Sequence, residues 1–429
     1  MGIVSSMATA ISGLEAQGQA LAVISDNIVN ANTTGYKASR TEFQNILAQD
    51  LLSSGTGAQI GRGVGTAGVT NVFTQGPITR TERGTDLAIS GNGFFAVKSD
   101  QYGTSYTRDG SFRFDKDGWL VNLNGFRVQA YGATTDGKVT GTLGDVRIPF
   151  NTIAAKPTNK VQMHVNLDAR IQVGQQLDLT RPEDTAQFTS TTQMFDSIGN
   201  AHSVSMYFNK VNDGAWEWYA MTDGANLQGG EAGKQTAIAT GTLLFDPEGK
   251  LQNSEQSMMN TTFANGAIPE QAVRFDFGDP TNEAGTGQKG STQFGSKNAA
   301  FRNVQDGFGA GTLADTSIDA EGSITGVYTN GQNRVLGQIA ISRFESTERL
   351  AKLGENQYRE TVQSGQPLIG KPNTNGRGQI MTKSLEQSNV DLAKEFVEMI
   401  KAQRGFQASA KSVTTANDML DEVIKLQRG

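Results

Sequence analysis

The sequence predicts an α+β protein that is mostly β, with helices at both ends and two nested β domains between them. Three observations support this class. An apolar repeat with alternating spacings of four and three residues occurs at both ends of the 429-residue chain. Short alternating apolar runs, separated by turns such as Asn-Gly, fill its middle. The chain also has 51 glycines and only 9 prolines, which indicates a turn-rich protein.

The N-terminal repeat predicts a helix over residues 3–28. The helix is expected to end before Asn30, Asn32 and Gly35, because these residue types favour helix termination. The spacing is that of a coiled-coil seam, so we predict a role in self-assembly for its members. They are Ile3, Met7, Leu14, Gln17, Leu21, Ile24 and Ile28.

A second helix is predicted to begin at Ser388, with Ser388 as its N-cap and Asp391 as a capping-box partner. Its self-assembly seam comprises Leu392, Phe396, Met399, Gln403, Phe406, Val413, Asn417, Leu420 and Ile424. Polar residues in a seam cost stability and often specify register, which makes Gln17, Gln403 and Asn417 candidates for that role. Two helices alone bury little surface, so we expect them to become ordered when many copies pack together. The alternative is two amphipathic helices packed on an ordinary core.

The middle of the chain predicts two β domains, one inserted in the other. Residues 53–68 are glycine-rich without helical periodicity, and predict a flexible or extended connector. Short apolar runs and turns follow this segment and occur on both sides of a second β-rich stretch. The two flanking parts are expected to form one domain, into which the second stretch is inserted. The predicted layout is a terminal helical polymerisation domain (1–32 and 386–429), a connector (33–70 and 365–385), a middle β domain (71–150 and 285–364) and an inserted outer β domain (151–284).

Composition narrows the possible partners. The chain has no cysteine, which excludes disulfides, thiolate metal sites and cysteine nucleophiles. Its formal net charge is -6 without a basic stripe, so neither nucleic acid nor an anionic membrane is an expected partner. Polar residues interrupt the N-terminal apolar pattern, and the first basic residue in the sequence is Lys37. We therefore expect no cleaved signal peptide. Other protein chains are the expected partners.

Sequence motifs for catalysis are weak. Residues 63–68 match G-x-G-x-x-G, but a strand-like run follows instead of the helix that a dinucleotide site needs. The two histidines, His164 and His202, have no neighbours at metal-ligand spacing. Asp115 and Asp117 begin a calcium-loop pattern that lacks its later ligands, and a hairpin turn explains them better. We expect no enzyme, no catalytic or metal site and no cofactor.

Long segments of the chain resemble the flagellar axial proteins, the rod and hook family. The start, SGLEAQGQALAVISDNIVNANTTGYKASRTEF, resembles the signature that these proteins share. The end, SNVDLAKEFVEMIKAQRGFQASAKSVTTANDMLDEVIKL, is similarly typical, as are TERGTDLAISGNGFFAV and DGSFRFDKDGWLVNLNGFRVQAYG in the middle. The residues that match the N-terminal family motif are Asn27, Asn30, Asn32, Thr34, Gly35, Tyr36 and Lys37.

The resemblance implies a structural subunit of the flagellar hook, a tubular helical polymer that acts as a flexible universal joint and transmits motor torque to the filament. It implies export by the flagellar type III apparatus and a location in the hook, outside the cell. The implied partners are other copies of the chain, the distal rod, hook cap, hook-length control and hook-filament junction proteins, and the type III export gate. The inserted stretch, with MFDSIGNAHSVSMYFNK and GTLLFDPEGKLQ, favours a hook subunit over a distal rod subunit.

One further expectation follows from the resemblance. Phe43 and Leu47 have the four-residue spacing of the motif that the export gate recognises in this family, although they could simply pack on the connector. Two other functions stay open. One is a distal rod subunit, and the other is a secreted β-rich adhesin with oligomerisation helices.

Overall fold

The computed structural model describes residues 2–46, 49–50, 59–134, 137–148, 152–174, 176–258, 261–283, 285–287 and 289–428. In this part the chain is mostly β with a long helix at each end, as the sequence predicted. The chain divides into two compact units. Unit 1 comprises Met1–Pro149, Asp315–Val327 and Asn333–Gly429, and unit 2 comprises Phe150–Ala314 and Tyr328–Gln332.

The helices are α1, Gly2–Val29; α2, Pro182–Thr185; and α3, Leu392–Arg428. Single turns of 3-10 helix cover Gly224–Asn226, Thr281–Glu283 and Thr347–Arg349. The first strands of unit 1 are β1 Ser39–Asn45, β2 Gln49–Asp50, β3 Gln59–Ile60, β4 Val64–Asn71, β5 Ile78–Arg80, β6 Leu87–Ser90, β7 Phe94–Ser99, β8 Gly103–Thr107, β9 Arg113–Phe114, β10 Leu120–Val121, β11 Arg127–Ala133 and β12 Val139–Asp145. Those of unit 2 are β13 Lys160–Asn166, β14 Phe188–Phe195, β15 Ala201–Asn212, β16 Ala215–Asp223, β17 Gln235–Phe245, β18 Leu251–Met258, β19 Arg274–Asp276 and β20 Ala299–Gln305. The later strands are β21 Leu313–Ile318, β22 Ser323–Tyr328, β23 Asn333–Ile339, β24 Ile341–Arg343, β25 Ala351–Gly354, β26 Gln357–Arg359, β27 Leu368–Gly370, β28 Gln379–Thr382 and β29 Ser384–Glu386.

The two terminal helices pack against each other within unit 1. A Cβ atom placed on Gly13 would lie 3.0 Å from Ser409 Oγ. Asn27 Nδ2 lies 3.3 Å from Glu395 Oε2. Residue numbers therefore rise from 13 to 27 along α1 while they fall by an equal step from 409 to 395 along α3. The helices run antiparallel and hold one register between these contacts.

Small residues form the centre of this helix pair. Ala16 and Ala20 on α1, and Ala402 and Ala416 on α3, are buried. Such residues let two helix backbones approach closely, which leaves the larger apolar side chains at the margins of the contact. The contact between the two helices of one chain therefore buries fewer large apolar side chains than the apolar repeats predicted.

The N-cap of α3 differs from the prediction. The helix begins at Leu392, and Asp391 Oδ1 accepts hydrogen bonds from the backbone N–H groups of Ala393 at 2.9 Å and Lys394 at 3.2 Å. The prediction of Ser388 as N-cap was wrong. Asp391 takes that position because its carboxylate lies within reach of the first-turn N–H groups, and its negative charge complements the helix dipole.

The large sheet of unit 1 has 13 strands, with the main path β21-β22-β23-β11-β7-β8-β26-β25. Its pairings are antiparallel, and Asn124-Gly125, a turn of the predicted Asn-Gly type, joins β10 to β11. One part of the core is aromatic, with Phe94 packed edge-on against Phe344 and Tyr358. Tight turns and buried rings together explain how this part of unit 1 forms a core although it is rich in glycine.

A smaller sheet in unit 1 pairs β1 with β4 in antiparallel register, with an irregularity between Glu42 and Phe43. Residues 64–68, within the glycine-rich segment, are part of β4 and are therefore extended. Residues 53–58 of that segment lie outside the described part. The strand that begins at Val64 also confirms that no helix follows the G-x-G-x-x-G pattern.

Unit 2 contains a five-stranded antiparallel sheet in the order β14-β15-β16-β17-β18 and a three-stranded sheet in the order β19-β13-β20. Its main core includes the fully buried Trp216 and Trp218, and the Trp218 ring centroid lies 5.0 Å from that of Phe277. Because β20 pairs with β13, residues 299–305 lie in unit 2. The sequence had assigned them to the middle domain, since pairing between distant strands leaves no local signature.

Candidate assembly site

The N-terminal family motif meets the segment before α3 at a buried ion cluster, defined here as Lys37, Arg108 and Glu386. Lys37 Nζ donates to Glu386 Oε1 at 2.5 Å and to the backbone oxygen of Thr74 at 2.7 Å. Arg108 Nη1 lies 3.2 Å from Glu386 Oε2. The Gly76 N–H also donates to Glu386 Oε1, at 2.9 Å. One carboxylate thus joins three segments that are far apart in the sequence.

The buried ion cluster has two cations and one anion. The side chains of Lys37 and Glu386 have no exposed surface, and that of Arg108 is 4% exposed. Burial lowers the pKa of Lys37 and that of Arg108, and the Glu386 carboxylate opposes this effect. Arg108 also donates to the backbone oxygens of Ile89 and Gly91. These carbonyl dipoles, together with that of Thr74, offset the excess positive charge.

Asn27 attaches the end of α1 to the start of β1. Its Nδ2 donates to the Ser39 backbone oxygen at 2.8 Å, and its Oδ1 accepts from the Ser39 backbone N–H at 2.9 Å. The buried amide therefore pairs with the backbone of Ser39 as a neighbouring strand would. The same amide donates to Glu395 on α3, so Asn27 connects both helices to β1.

Tyr36 is buried beside Asn27. Its hydroxyl donates to Asp26 Oδ2 at 3.0 Å, and Lys352 Nζ lies 4.6 Å from the centroid of its ring. Burial, reinforced by the hydrogen bond to Asp26, raises the pKa of Tyr36 above its ordinary value. The phenol is therefore a neutral donor at physiological pH. Lys352 also lies 3.4 Å from Asp26, which places a cation between the ring and the carboxylate.

Gly35 is required by its conformation and by its surroundings. Its φ is +68°, and a Cβ atom there would lie 2.5 Å from the backbone nitrogen of Asp109. Its N–H donates to the Glu386 backbone oxygen at 2.8 Å. The close approach of the chain to Glu386 and Asp109 therefore excludes any side chain at this position.

The remaining motif residues shape the turn after α1. Asn30 Nδ2 donates to the Asp26 backbone oxygen at 2.9 Å, which caps the end of the helix. The Thr34 backbone oxygen accepts from Asn356 Nδ2 at 2.9 Å. Asn32 is exposed within the turn. Six of the seven motif residues thus make contacts that fix the path of the backbone between α1 and β1.

Sequence reasoning missed three residues of this site, Arg108, Glu386 and Asn389. The Asn389 side chain accepts from the Ala38 N–H at 2.8 Å and donates to the Val72 backbone oxygen at 2.8 Å. No periodicity or motif marks these residues, because their roles depend on contacts across hundreds of residues. The local signal was limited to position: Asn389 lies inside the C-terminal block that resembles the family, Arg108 directly precedes the DGSFRF block, and Glu386 lies two residues before the C-terminal block.

The structure brings only part of the predicted seams together in one chain. Gln17 lies against Gly405, with a Cβ on that glycine 3.1 Å from Gln17 Cδ. The half-buried seam residues are Met7, Leu14, Gln17, Leu21, Ile24, Ile28, Met399, Phe406, Val413 and Leu420. The exposed ones are Leu392, Phe396, Gln403, Asn417 and Ile424. The side chain of Ile3 lies outside the described part.

Phe43, the first residue of the predicted export motif, lies on β1 beside the strand irregularity and is 46% exposed. Leu47, the second, lies outside the described residues. Phe43 also lines a groove of about 810 Å³ between α1, α3 and β1. Its ring is therefore accessible in the folded chain.

The structure shows how the candidate chemical motifs are used. His202 Nε2 lies 3.0 Å from Asp196 Oδ2, whose other oxygen accepts backbone N–H groups of a turn, so this pair is part of a hairpin. Asp115 Oδ1 accepts from the N–H groups of Asp117 and Trp119, as expected for a turn. In the part of the chain that the structure describes, no group of three acidic or histidine side chains is placed to hold a metal ion. No described helix has both the length and the apolar character of a membrane span.

Four family models match successive parts of the chain, two of them overlapping at residues 166–173. The model described as Flagella basal body rod protein matches residues 7–37, and Flagellar hook protein FlgE/F/G D1 domain matches 88–173. Flagellar basal body protein FlaE D2 domain matches 166–308. Flagellar basal body rod FlgEFG protein C-terminal matches 381–426. The N-terminal and C-terminal matches contain Lys37 and Glu386, the two residues of the central ion pair.

Full-length relatives decide the family. The flagellar hook protein FlgE of Salmonella typhimurium is 33% identical over 98% of this chain and 100% of its own length. This chain belongs to the flagellar hook protein family. Another family member, FlgE of Treponema pallidum, is 32% identical over 99% of both chains. FlgE of Borreliella burgdorferi is 34% identical over 98% of this chain and 99% of its own length.

A solved hook protein structure shares the fold. The crystal structure of Helicobacter pylori flagellar hook protein FlgE2 covers 72% of this chain and 100% of its own, with a TM-score of 0.53 and 15% sequence identity. At this identity the likeness concerns the fold alone. Hook proteins form a structural family, which agrees with a site built from packing contacts and hydrogen bonds.

Proposed function

We propose that this chain is a structural subunit of the bacterial flagellar hook, and that it polymerises through its terminal helices. The observation that carries the proposal is the exposure of large apolar side chains along both helices. Val4 is 64% exposed, and on α3 Phe396 is 51% and Leu426 77% exposed. Other exposed apolar residues on these helices are Ile11, Val29, Leu392, Val397, Ile400, Met419, Val423 and Ile424. Apolar surface on this scale is characteristic of a protein interface.

Association would remove this surface from water, at about 25 cal/mol for each Å² of apolar area buried. The exposed side of the predicted seams, with Phe396, Gln403 and Asn417, faces away from α1 and is therefore available to neighbouring copies. In the polymer these residues complete a coiled-coil-like core around the tube axis. The half-buried seam residues hold the helix pair of each subunit.

A flexible joint needs a firm core and adjustable outer contacts. Asn27 attaches the helix pair to β1, and the buried ion cluster joins the segment after α1 to the segment before α3, both through buried contacts. The β units, nested along the chain, would contact neighbouring copies through turn-rich surfaces. Several packings of similar free energy can then interconvert as the hook bends and transmits torque.

The remaining partners belong to assembly and export. The subunit would leave the cell through the flagellar type III apparatus, with Phe43 and Leu47 recognised at the export gate. It would meet the distal rod, the hook cap, the hook-length control protein and the hook-filament junction proteins. Its location is the hook, outside the cell.

Electron microscopy of the purified chain after assembly tests the proposal. Curved hollow tubes are the expected product. Straight rigid tubes would instead identify a distal rod subunit, and discrete oligomers that bind a carbohydrate would identify an adhesin.

A further inference from the structure

Among the described residues, no helix lies beside the C-terminal end of α3. The antiparallel register that pairs Gly13 with Ser409 places Gly2, the first residue of α1, opposite Leu420. Residues 421–428, named here the C-terminal extension, therefore continue past the end of α1. Val423 is 49%, Ile424 48% and Leu426 77% exposed. The extension is a short helical segment with uncovered apolar side chains.

The groove beside β1 offers a matching apolar surface. Its volume is about 810 Å³, and its lining includes the apolar side chains of Ala20, Val23, Ile24, Phe43 and Ala402. Charged side chains surround them in equal numbers of each sign. They are Arg40, Lys394, Lys401, Asp391, Glu395 and Glu398. The groove could therefore accept an apolar helix end that carries no net charge.

The C-terminal extension meets that requirement. Asp421 and Glu422 are balanced by Lys425 and Arg428. Neither surface therefore repels the other at long range, and burial of apolar side chains can dominate the contact.

The groove cannot be filled by the extension of the same chain. The groove touches α3 between Asp391 and Ala402, and the extension begins at Asp421. At 1.5 Å per residue along an unbroken helix, these regions are separated by roughly 30 Å. The occupant must then come from a second copy, displaced along the helix axis by roughly 40 Å between the centres of the two surfaces.

We propose that the C-terminal extension of one copy docks in the groove of the next copy along the axis. The inference rests on the proposed polymer and specifies one of its contacts. The two surfaces are different, so the contact is head-to-tail and each copy offers one free groove and one free extension. Such an interface does not close into a dimer when the copies are related by translation along the axis. It propagates into a filament.

Engineered cysteines test the contact, because the chain has none of its own. One variant has Thr41→Cys in the groove lining, and another has Leu426→Cys in the extension. The two variants are mixed, assembled and treated with a short bismaleimide cross-linker. The expected product is a covalent dimer in the mixture and in neither variant alone, whereas a variant with both cysteines gives a ladder. Thr41→Cys mixed with Val362→Cys is the matched control without dimers, since Val362 lies on an exposed loop outside the extension.

Tubes without Thr41–Leu426 dimers would overturn the docking assignment and leave the polymer intact. Failure of the unmodified chain to form any polymer would instead overturn the proposed function. A second measurement does not depend on cysteine variants. Leu426→Asp should raise the critical concentration for assembly by about tenfold or more, the effect of losing the burial of one leucine. A critical concentration equal to that of Val362→Asp would contradict the proposal.

Discussion

Lys37 and Glu386 are 349 residues apart in the sequence and form an ion pair with no exposed side-chain surface on either partner. Arg108 approaches the other oxygen of the same carboxylate. A surface ion pair adds little stability, but a buried charge that loses its partner is costly. The buried ion cluster is therefore the point in unit 1 where a single atom change should have the largest effect.

Glu386→Gln should lower the free energy of unfolding by about 3–5 kcal/mol, because it leaves two buried cations without their carboxylate. Urea denaturation followed by circular dichroism measures this change. The matched control is Glu42→Gln at the exposed Arg40–Glu42 pair, which should cost less than about 1 kcal/mol. Equal effects of the two substitutions would contradict the assigned role of the buried ion cluster.

Gly35→Ala should destabilise the chain more than Gly125→Ala. Both glycines have positive φ, +68° and +82°, so both substitutions carry a conformational cost of about 1 kcal/mol. Only at Gly35 would the new Cβ also meet backbone atoms, whereas the space at Gly125 is open. Overpacking adds about 1–3 kcal/mol. Thermal unfolding of the two variants compares them, and a Gly125 variant that is equally unstable would count against the steric argument.

Leu420→Asp should prevent tube formation while the β units stay folded. The half-buried leucine lies at the end of the helix pair, and an aspartate there would place an unpaired charge in the apolar contact. Electron microscopy detects tubes, and circular dichroism reports the sheets. Val362→Asp, on an exposed loop, is the control and should assemble normally. Normal tubes from the Leu420 variant would refute a role of the helix ends in assembly.

Unit 2 should lose stability in acid as Asp196 is protonated. Burial acts to raise the pKa of this carboxyl, but hydrogen bonds from His202, Asn200 and backbone N–H groups outweigh it and leave the pKa below its usual value. A pKa that is lower in the folded chain contributes stability above the ordinary value of about 3.9, and this contribution disappears as pH falls through the folded pKa.

Asp196→Asn should make the stability of unit 2 less dependent on pH below about 4, the ordinary aspartate range. Trp216 and Trp218 are buried in the core of unit 2, so their fluorescence reports its unfolding. A Trp119→Phe background removes the third tryptophan, which lies in unit 1. An unchanged acid transition in the variant would show that other carboxyls control it.

Phe43→Ala should reduce export without unfolding the chain, because the ring is 46% exposed and contributes little to the core. Secretion into the medium, compared with the amount of protein in the cell, measures the effect. Val69→Ala is a matched control on the neighbouring strand, with an apolar side chain that is 52% exposed. Equal secretion of the two variants would exclude recognition of Phe43 at the export gate.

Several features of this fold could be predicted from local sequence. The terminal helices follow from apolar spacing, and turns such as Asn124-Gly125 follow from residues that accept positive φ. The predicted start of α3 was wrong by a few residues. Ser388 and Asp391 are both good N-cap residues, and only the backbone geometry selects one of them. Site residues in the N-terminal motif were found by resemblance, but their contacts were not.

The sequence by itself determined the helical ends, the β-rich middle and the family of this protein, since periodicity, turn chemistry and motif residues are local properties. Only the tertiary structure decided that Glu386 joins Lys37 to Arg108, that Gly35 lies against Asp109, and that β20 pairs with β13. The physical reason is that burial, strand pairing and ion pairing depend on residues brought together from distant parts of the chain. A local pattern carries no record of that proximity.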